Sequence, residues 1–333
     1  MFKKFEELIH AGLQSKAKKN AILIGSLIAF LLSMMMFPAE MVLAKMLPGK
    51  NNDTFNIYVD LPEGSSIQQT QRVSECVVGF IQKEKEVLDV EVFLGMGSPL
   101  DFAGLIKGSH FKMTENLAEV VINLTKAHDR AEPSYMMVQR MRPLIQKTCE
   151  AIVPKTNIKF IEPPSGPPTM AAVVAEVYGN SDKGIRHLAE HVETIFKNTE
   201  GLVDIDIMQD AIYDKYEIKV NSVKIAKSGL NIKQVNDILY LAFEGMSIAV
   251  KNSAEYNDQI PIFLTLSDET KKFTNKDRNA VESKLSSLRL MNQRGMMVPV
   301  TEVVEILSVK SNPMIMSKNL HKMTNVLAET DMV

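Results

Sequence analysis

Phe55-Asn56-Ile57-Tyr58-Val59, closed by Leu61-Pro62-Glu63-Gly64, is the stretch that decides how this chain folds. Phe55, Ile57 and Val59 alternate with Asn56 and Tyr58, the period of a strand with one buried face, and the Pro-Glu-Gly turn ends it. Ser65 or Ser66 then caps a helix in which Ile67, Thr70, Ser74, Val77, Val78 and Ile81 share one face. Further out, Val87 to Leu94 reads as a second strand and Leu117 to Leu124 as a third. Pro133 to Ile152 reads as a helix burying Met137, Met141, Leu144, Ile145 and Ile152, and Ile158 to Ile161 as a closing strand. Strand-helix-strand, twice over, is the split βαβ order of a ferredoxin-like unit and sets the fold class as α+β.

The run Pro163-Pro164-Ser165-Gly166-Pro167-Pro168 cannot be helix or central strand and marks a boundary. Beyond it Ala171 to Tyr178 is a strand, Lys183 to Asn198 a helix with Ile185, Leu188, Val192, Ile195 and Phe196 inward, and Val203 to Met208 a strand. That is half of a second ferredoxin-like unit. From about Tyr213 the pattern changes to a small mixed region: strand Tyr216 to Val220, a helix from Asn231 to Phe243 after the Gly229 turn, strand Ile260 to Leu266, and strand Met296 to Val300 after Arg294-Gly295.

Toward the N-terminus, Ala21 to Phe37 (AILIGSLIAFLLSMMMF) carries no charge, and the apolar stretch resumes as Met41 to Ala44. Each Ile, Leu and Phe favours membrane insertion by about 0.3–0.6 kcal/mol, which outweighs Gly25, Ser26 and Ser33. About 20 to 24 residues are thus available to cross a hydrocarbon core of about 30 Å. Lys3, Lys4, Lys16, Lys18 and Lys19 precede the span, which predicts a cytoplasmic N-terminus and a body on the far side of the membrane. Phe2, Phe5, Ile9 and Leu13 fall on one stripe of a short amphipathic helix against membrane lipid. A cleaved signal peptide ending at Val42-Leu43-Ala44 is the rival reading, and the apolar core is longer than such peptides carry.

The chain has 333 residues, a length that suits about two domains, and 38 Lys+Arg against 40 Asp+Glu leave no basic field for nucleic acid. Cys76 points away from its helix's apolar stripe and Cys149 sits on a flank, so no internal bridge is expected. His187-Leu188-Ala189-Glu190-His191 matches H-x-x-E-H, but its histidines project opposite the apolar stripe, onto a solvated face, and no third ligand is identifiable. Gly95-Met96-Gly97 lacks the rest of a dinucleotide loop, and no phosphate loop or nucleophile elbow occurs. Neither a catalytic residue, a cofactor nor a resident metal is predicted. One feature does point to binding: Ser98 to Thr114, SPLDFAGLIKGSHFKMT, is far longer than a hairpin connection needs and carries Phe102, Leu105, Ile106 and Phe111 among glycines. These four are the candidate substrate-path residues.

Lys45-Met46-Leu47-Pro48 leading into the first strand, the Gly95-Met96-Gly97 loop, and Glu162-Pro163-Pro164-Ser165-Gly166-Pro167-Pro168 leading into Val173-Val174-Ala175-Glu176-Val177-Tyr178-Gly179 resemble the inner-membrane pump of resistance-nodulation-division (RND) efflux systems, of the acriflavine-resistance type. The resemblance implies part of the C-terminal half of such a pump. Residues 1–19 would be a cytoplasmic amphipathic segment, 20–47 a transmembrane helix, 50–162 a first porter subdomain and 169–210 the first half of a second. Residues 211–319 would form the docking domain and 320–333 a truncated return to the second porter subdomain. It further implies a homotrimer, or a complementing pump fragment, in the bacterial inner membrane with its bulk periplasmic. A periplasmic adaptor, an outer-membrane channel and small amphiphilic substrates would be its partners, and loop Ser98 to Thr114 would separate two drug pockets. The single span carries none of the ionisable groups that couple protons in such pumps, which predicts a partial transporter. The alternative is a membrane-anchored periplasmic binding or scaffold protein without transport, and a tethered hydrolase is disfavoured by the missing nucleophile-base pair.

Overall fold

The computed structural model describes residues 10, 15–36, 38–39, 51–99, 102–108, 113–163, 166–167, 169–254, 259–271 and 277–331. Residues Ala21 to Met35 of the charge-free run lie within helix α1 (Lys16–Met35), the one described helix long and apolar enough to cross a membrane by length and composition. None of its residues is buried, and its apolar side chains point in every direction instead of along one stripe. A helix apolar all round needs an apolar environment on every side. Met41 to Ala44 and the amphipathic positions Phe2, Phe5, Ile9 and Leu13 lie outside the described residues.

The alternating stretch forms β1 (Thr54–Asp60), followed by α2 (Ile67–Ile81), β2 (Val87–Leu94), the short helix α3 (Phe102–Lys107), β3 (Leu117–Leu124), α4 (Ser134–Cys149) and β4 (Asn157–Ile161). The strands make one antiparallel sheet of order β2-β3-β1-β4, the ferredoxin-like arrangement. Ser66 caps α2, and Gln69 reaches back to accept its N–H at 3.0 Å, so the helix starts where the Leu-Pro-Glu-Gly turn releases the chain. Phe55, Ile57 and Val59 meet Val73, Val77 and Ile81 of α2 and Met137, Met141 and Ile145 of α4 in one core.

Two expectations for α4 fail. Ile152 is exposed because the helix ends at Cys149, and Leu144 is 55% exposed because the buried stripe is turned toward Val138 and Arg142. Arg142 is drawn that way by carboxylates of the second unit, described below. The reading of the cysteines is also corrected: Cys76 and Cys149 form a disulfide, with Cα atoms 5.8 Å apart. Each cysteine was judged against the core stripe of its own helix. A bridge between helices lying side by side on one sheet uses their flanks, and α2 and α4 do lie side by side.

The second unit contains β5 (Val173–Tyr178), α5 (Asp182–Lys197) and β6 (Leu202–Ile207). The chain then leaves through β7 (Asp214–Val220), α6 (Ser222–Ser228), α7 (Ile232–Phe243), β8 (Met246–Lys251), β9 (Ile260–Leu264), α8 (Arg278–Ser287), β10 (Arg289–Met291), β11 (Met297–Pro299) and β12 (Val304–Lys310). Strands β7 and β12 pair antiparallel, which closes this region at its neck, and Ile225, Val235, Leu285, Val300 and Ile306 belong to its own core. At its first corner Gly229 adopts φ 69° after α6, a left-handed cap that a side chain would strain.

After β13 (Met316–Lys318) the chain returns as β14 (His321–Thr330), which pairs with β5 on one side and β6 on the other. The second unit is therefore a four-stranded sheet in which β14 pairs with β5 on one side and with β13 and then β6 on the other, and not the bare strand-helix-strand expected from its first half. Among the described residues the outer edge of β5 pairs with no strand. Ile185 and Ala189 of α5 pack on Val177 and Val326, whereas Leu188 and Ile195, expected inward, are 45% and 51% exposed. One helix covers this sheet, so flank positions that would meet a second helix in the first unit here face outward.

Candidate functional site

Alternation along β1 sends Asn56, Tyr58 and Asp60 to the face of the first sheet that carries no helix, where Glu119 of β3 and Lys159 of β4 stand opposite Tyr58. Glu119 is only 3% exposed; it accepts from Asn56 Nδ2 at 2.6 Å and from the Ser98 N–H at 2.8 Å. The long connection is thereby folded over this face. It opens at Gly95, whose φ of 70° and N–H bond to the Leu117 carbonyl at 2.8 Å turn the chain out of β2. A small pocket lined by Tyr58, Asp60, Met96, Gly97 and Glu119 lies at its foot.

Within this connection the structure shows α3 where the sequence suggested only a loop. Leu105 and Ile106 are exposed on α3, at 40% and 39%; Phe102 is its first residue, and Phe111 lies outside the described residues. Lys107, at the end of α3, donates to Glu329 of β14 at 2.8 Å and to the Met170 carbonyl at 3.3 Å. Glu329 also accepts the Ala172 N–H at 3.2 Å. Thus α3, which belongs to the first unit, is fastened to the second by an anchor the sequence gave no sign of.

Beneath α3 the two units meet along a charged seam. Strand β6 bulges: Asp204 and Ile205 stand opposite Ala328 alone, and Asp204 adopts φ 52°. A bulge redirects a side chain. Here it aims the Asp204 carboxylate at edge strand β4, where it accepts from the Phe160 N–H at 3.2 Å and from Gln146 Nε2 at 3.2 Å and pairs with Arg142 at 3.3 Å. Asn157 Nδ2 donates to the Ile205 carbonyl at 3.1 Å. Arg142 also pairs with Asp331 at 3.1 Å, and its guanidinium lies 5.6 Å from the Phe160 ring centre. Lys159 is held between Asp60 and Asp206, the latter at 2.6 Å.

Burial controls the protonation of these groups. It pushes Asp204 up to about 6, against the opposing pull of Arg142 and the Phe160 amide. It pushes Glu162 up to about 7, although the Ser134 hydroxyl donates to that carboxylate at 3.4 Å. Burial works against the Lys159 ammonium, but Asp206 and Asp60 outweigh it and hold the lysine charged. The seam can therefore hold two sheets together, and two of its carboxylates take up protons near neutrality. Its traces in the sequence were two acids in the apolar strand Leu202–Ile207, Lys159 within Asn157–Ile161, and Arg142 on the edge of an apolar stripe. His187, Glu190 and His191 are exposed on α5, and among the described residues no group of three His, Cys, Asp or Glu could hold a metal ion.

A profile of the AcrB/AcrD/AcrF family matches residues 1–332. No curated protein matches the chain. Among solved structures, a heavy metal efflux pump in crystal form I superposes with a TM-score of 0.61 at 16% identity, over 98% of this chain and 32% of that one. Crystal form II gives 0.59 at 17% identity with the same coverage, 98% and 32%. This likeness shows a shared fold, and the chain spans about a third of the length of those pumps, 32%. With the family profile running from the apolar helix α1 through both ferredoxin-like units and the region inserted at β7 and β12, the chain belongs to the AcrB/AcrD/AcrF family of RND efflux transporters.

Proposed function

We propose that this chain is the membrane-anchored porter and docking portion of an RND-type transporter for amphiphilic compounds. The carrying observation is α3: it exposes Leu105 and Ile106 above the seam while Lys107 fastens it to the second unit, so an apolar ligand path would run where both units are joined. A periplasmic position for the body agrees with the lysines ahead of the span and with the Cys76–Cys149 disulfide, a bond that persists in oxidising compartments. Proton coupling would lie outside this chain, since the apolar run of α1 from Ala21 to Met35 carries no ionisable side chain. Assembly into a trimer, or with a complementing pump fragment, and joining to a periplasmic adaptor and an outer-membrane channel follow from the family reading.

Dye binding tests the path. Phe102→Ala and Phe111→Ala should each weaken binding of an apolar fluorescent dye to the full chain in detergent while leaving its melting midpoint unchanged; equal losses in binding and stability would reduce the loop to a structural strap. A cysteine introduced near Asn52, at an exposed position, should react with an impermeant reagent in intact cells, and protection there with labelling near Ser15 would reverse the orientation.

A further inference from the structure

Glu162 ends the first unit: it follows β4 and precedes Pro163 to Pro168, the connection to the second. The residues around it moor the start of that connection. Asn52 Nδ2 donates to the Pro163 carbonyl at 2.9 Å, and the Asn52 N–H donates to Ser134 Oγ at 3.0 Å. The same hydroxyl reaches the Glu162 carboxylate at 3.4 Å. Arg130, its side chain wholly buried, donates to Asn51 Oδ1 and to the Asn52 carbonyl at 2.7 Å and pairs with Asp53 at 3.7 Å. The first unit's side of the joint is therefore fixed.

The cations of the seam all have other carboxylates. From α4, Arg142 holds Asp204 of β6 and Asp331 beyond β14; from α3, Lys107 holds Glu329 of β14. Lys159 of β4 lies between Asp60 of β1 and Asp206 of β6. Glu162 has none of its own: Arg142 favours its charge from a distance, while Glu329 and Asp204 oppose it from the second unit. Burial is the largest influence and holds its carboxyl at about 7. A buried carboxylate without a partner is costly, and the nearest remedy is water. Parting the seam at Asp204, Arg142 and Glu329 admits that water and moves the two opposing carboxylates away.

We propose that Glu162 makes the joint between the two units a pH-sensitive clasp, closed while its carboxyl carries a proton and opened when that proton passes to bulk water. As a control on the path beside α3 the inference rests on the transport reading above; as a joint it stands by itself.

Nitroxide labels on Gln71→Cys of α2 and Glu190→Cys of α5, both exposed positions, report the separation of the units by pulsed electron resonance on the full chain in detergent, the native cysteines being bonded to each other. The ratio of long to short distances should rise about tenfold from pH 6 to pH 8, as a carboxyl that titrates at about 7 when closed and at the ordinary 4.5 when open requires. Glu162→Gln keeps the shape without the charge and should hold the short distance throughout. A ratio indifferent to pH overturns the clasp, as does a transition that survives Glu162→Gln or that disappears only in Asp204→Asn. The unsubstituted chain gives a second reading. Its Phe160 N–H, bonded across the seam to Asp204 at 3.2 Å, should lose hydrogen-exchange protection relative to the amides of β1 as pH rises through 7. Protection in step with β1 defeats the proposal even if the variants fail to fold. Intact dye binding with a pH-independent separation defeats the clasp alone, and a pH-dependent separation without Phe102- and Phe111-dependent dye binding defeats the amphiphile path alone.

Discussion

In the first unit four strands lie under two helices that a disulfide joins, and Phe55, Ile57, Val59, Val73, Val77 and Met137 are fully buried. In the second unit the sheet has four strands, β13 only three residues long, and a single helix, and the core is Val177, Ile185, Ala189 and Val326 with a partly buried rim. Both units are built from the same strand-helix-strand pattern. The first has the larger buried core, whereas the second turns polar groups toward the first: Asp204, Asp206, Glu329 and Asp331 all reach across the seam. Such a junction is specific in geometry and open to adjustment by charge, which suits a pair of units that must stay in register without sharing one core.

The sharpest way to break this comparison is Arg142→Ala. Removing one partner of a buried pair leaves the other charge uncompensated, at a cost of about 3–5 kcal/mol. Hydrogen exchange should show that loss mainly in the amides of β5, β6 and β14; an equal loss in β1 and β3 would mean that the two units form one cooperative body. Replacing both Cys76 and Cys149 by Ser should cost about 2–4 kcal/mol, and here the weakening should fall on the first unit, read by the same exchange measurement.

Acid sharpens the comparison in the opposite direction. Glu162 titrates at about 7 in the fold, above an ordinary value of 4.5, so its contribution to stability is complete below the unfolded value and is lost as pH rises through 7. Asp204, raised to about 6 from 3.8, has the same sign. Between pH 5 and 8 Glu162→Gln should flatten the pH dependence of the melting midpoint by an amount equivalent to about 1–3 kcal/mol. A wild-type midpoint that rises with pH over that window relative to Glu162→Gln would contradict the assignment. Smallest of all should be Leu188→Ala on the outer flank of α5, within about 0.5 kcal/mol by chemical denaturation; a larger loss would mean that something covers this flank.

Much of the architecture was legible in residue pattern. The alternation at Phe55 to Val59, the capped stripe from Ile67 to Ile81 and the strand Leu117 to Leu124 all stand where the sequence put them, because period and capping are local properties. Inward stripes were less legible: Leu144, Leu188 and Ile195 lie on flanks, and whether a flank is buried depends on a neighbour the sequence does not name. Of the four candidate substrate-path residues, Leu105 and Ile106 prove exposed on a short helix and Phe102 begins it. Lys107, which fixes that helix, passed unnoticed because its partner Glu329 is far away in the chain.

By itself, then, the sequence determined what depends on residues a few positions apart: an apolar helix long enough for a bilayer, strands and helices in ferredoxin-like order, and a long apolar connection. Tertiary structure decided what depends on residues brought together from afar. It placed β14 between β5 and β6, joined Cys76 to Cys149 across adjacent helices, and bulged β6 so that Asp204 meets Arg142 and the Phe160 amide. Hydrophobic period is written within each element, but a disulfide, a buried ion pair or a shared amide needs two elements at a fixed distance, and only the packed fold sets that distance.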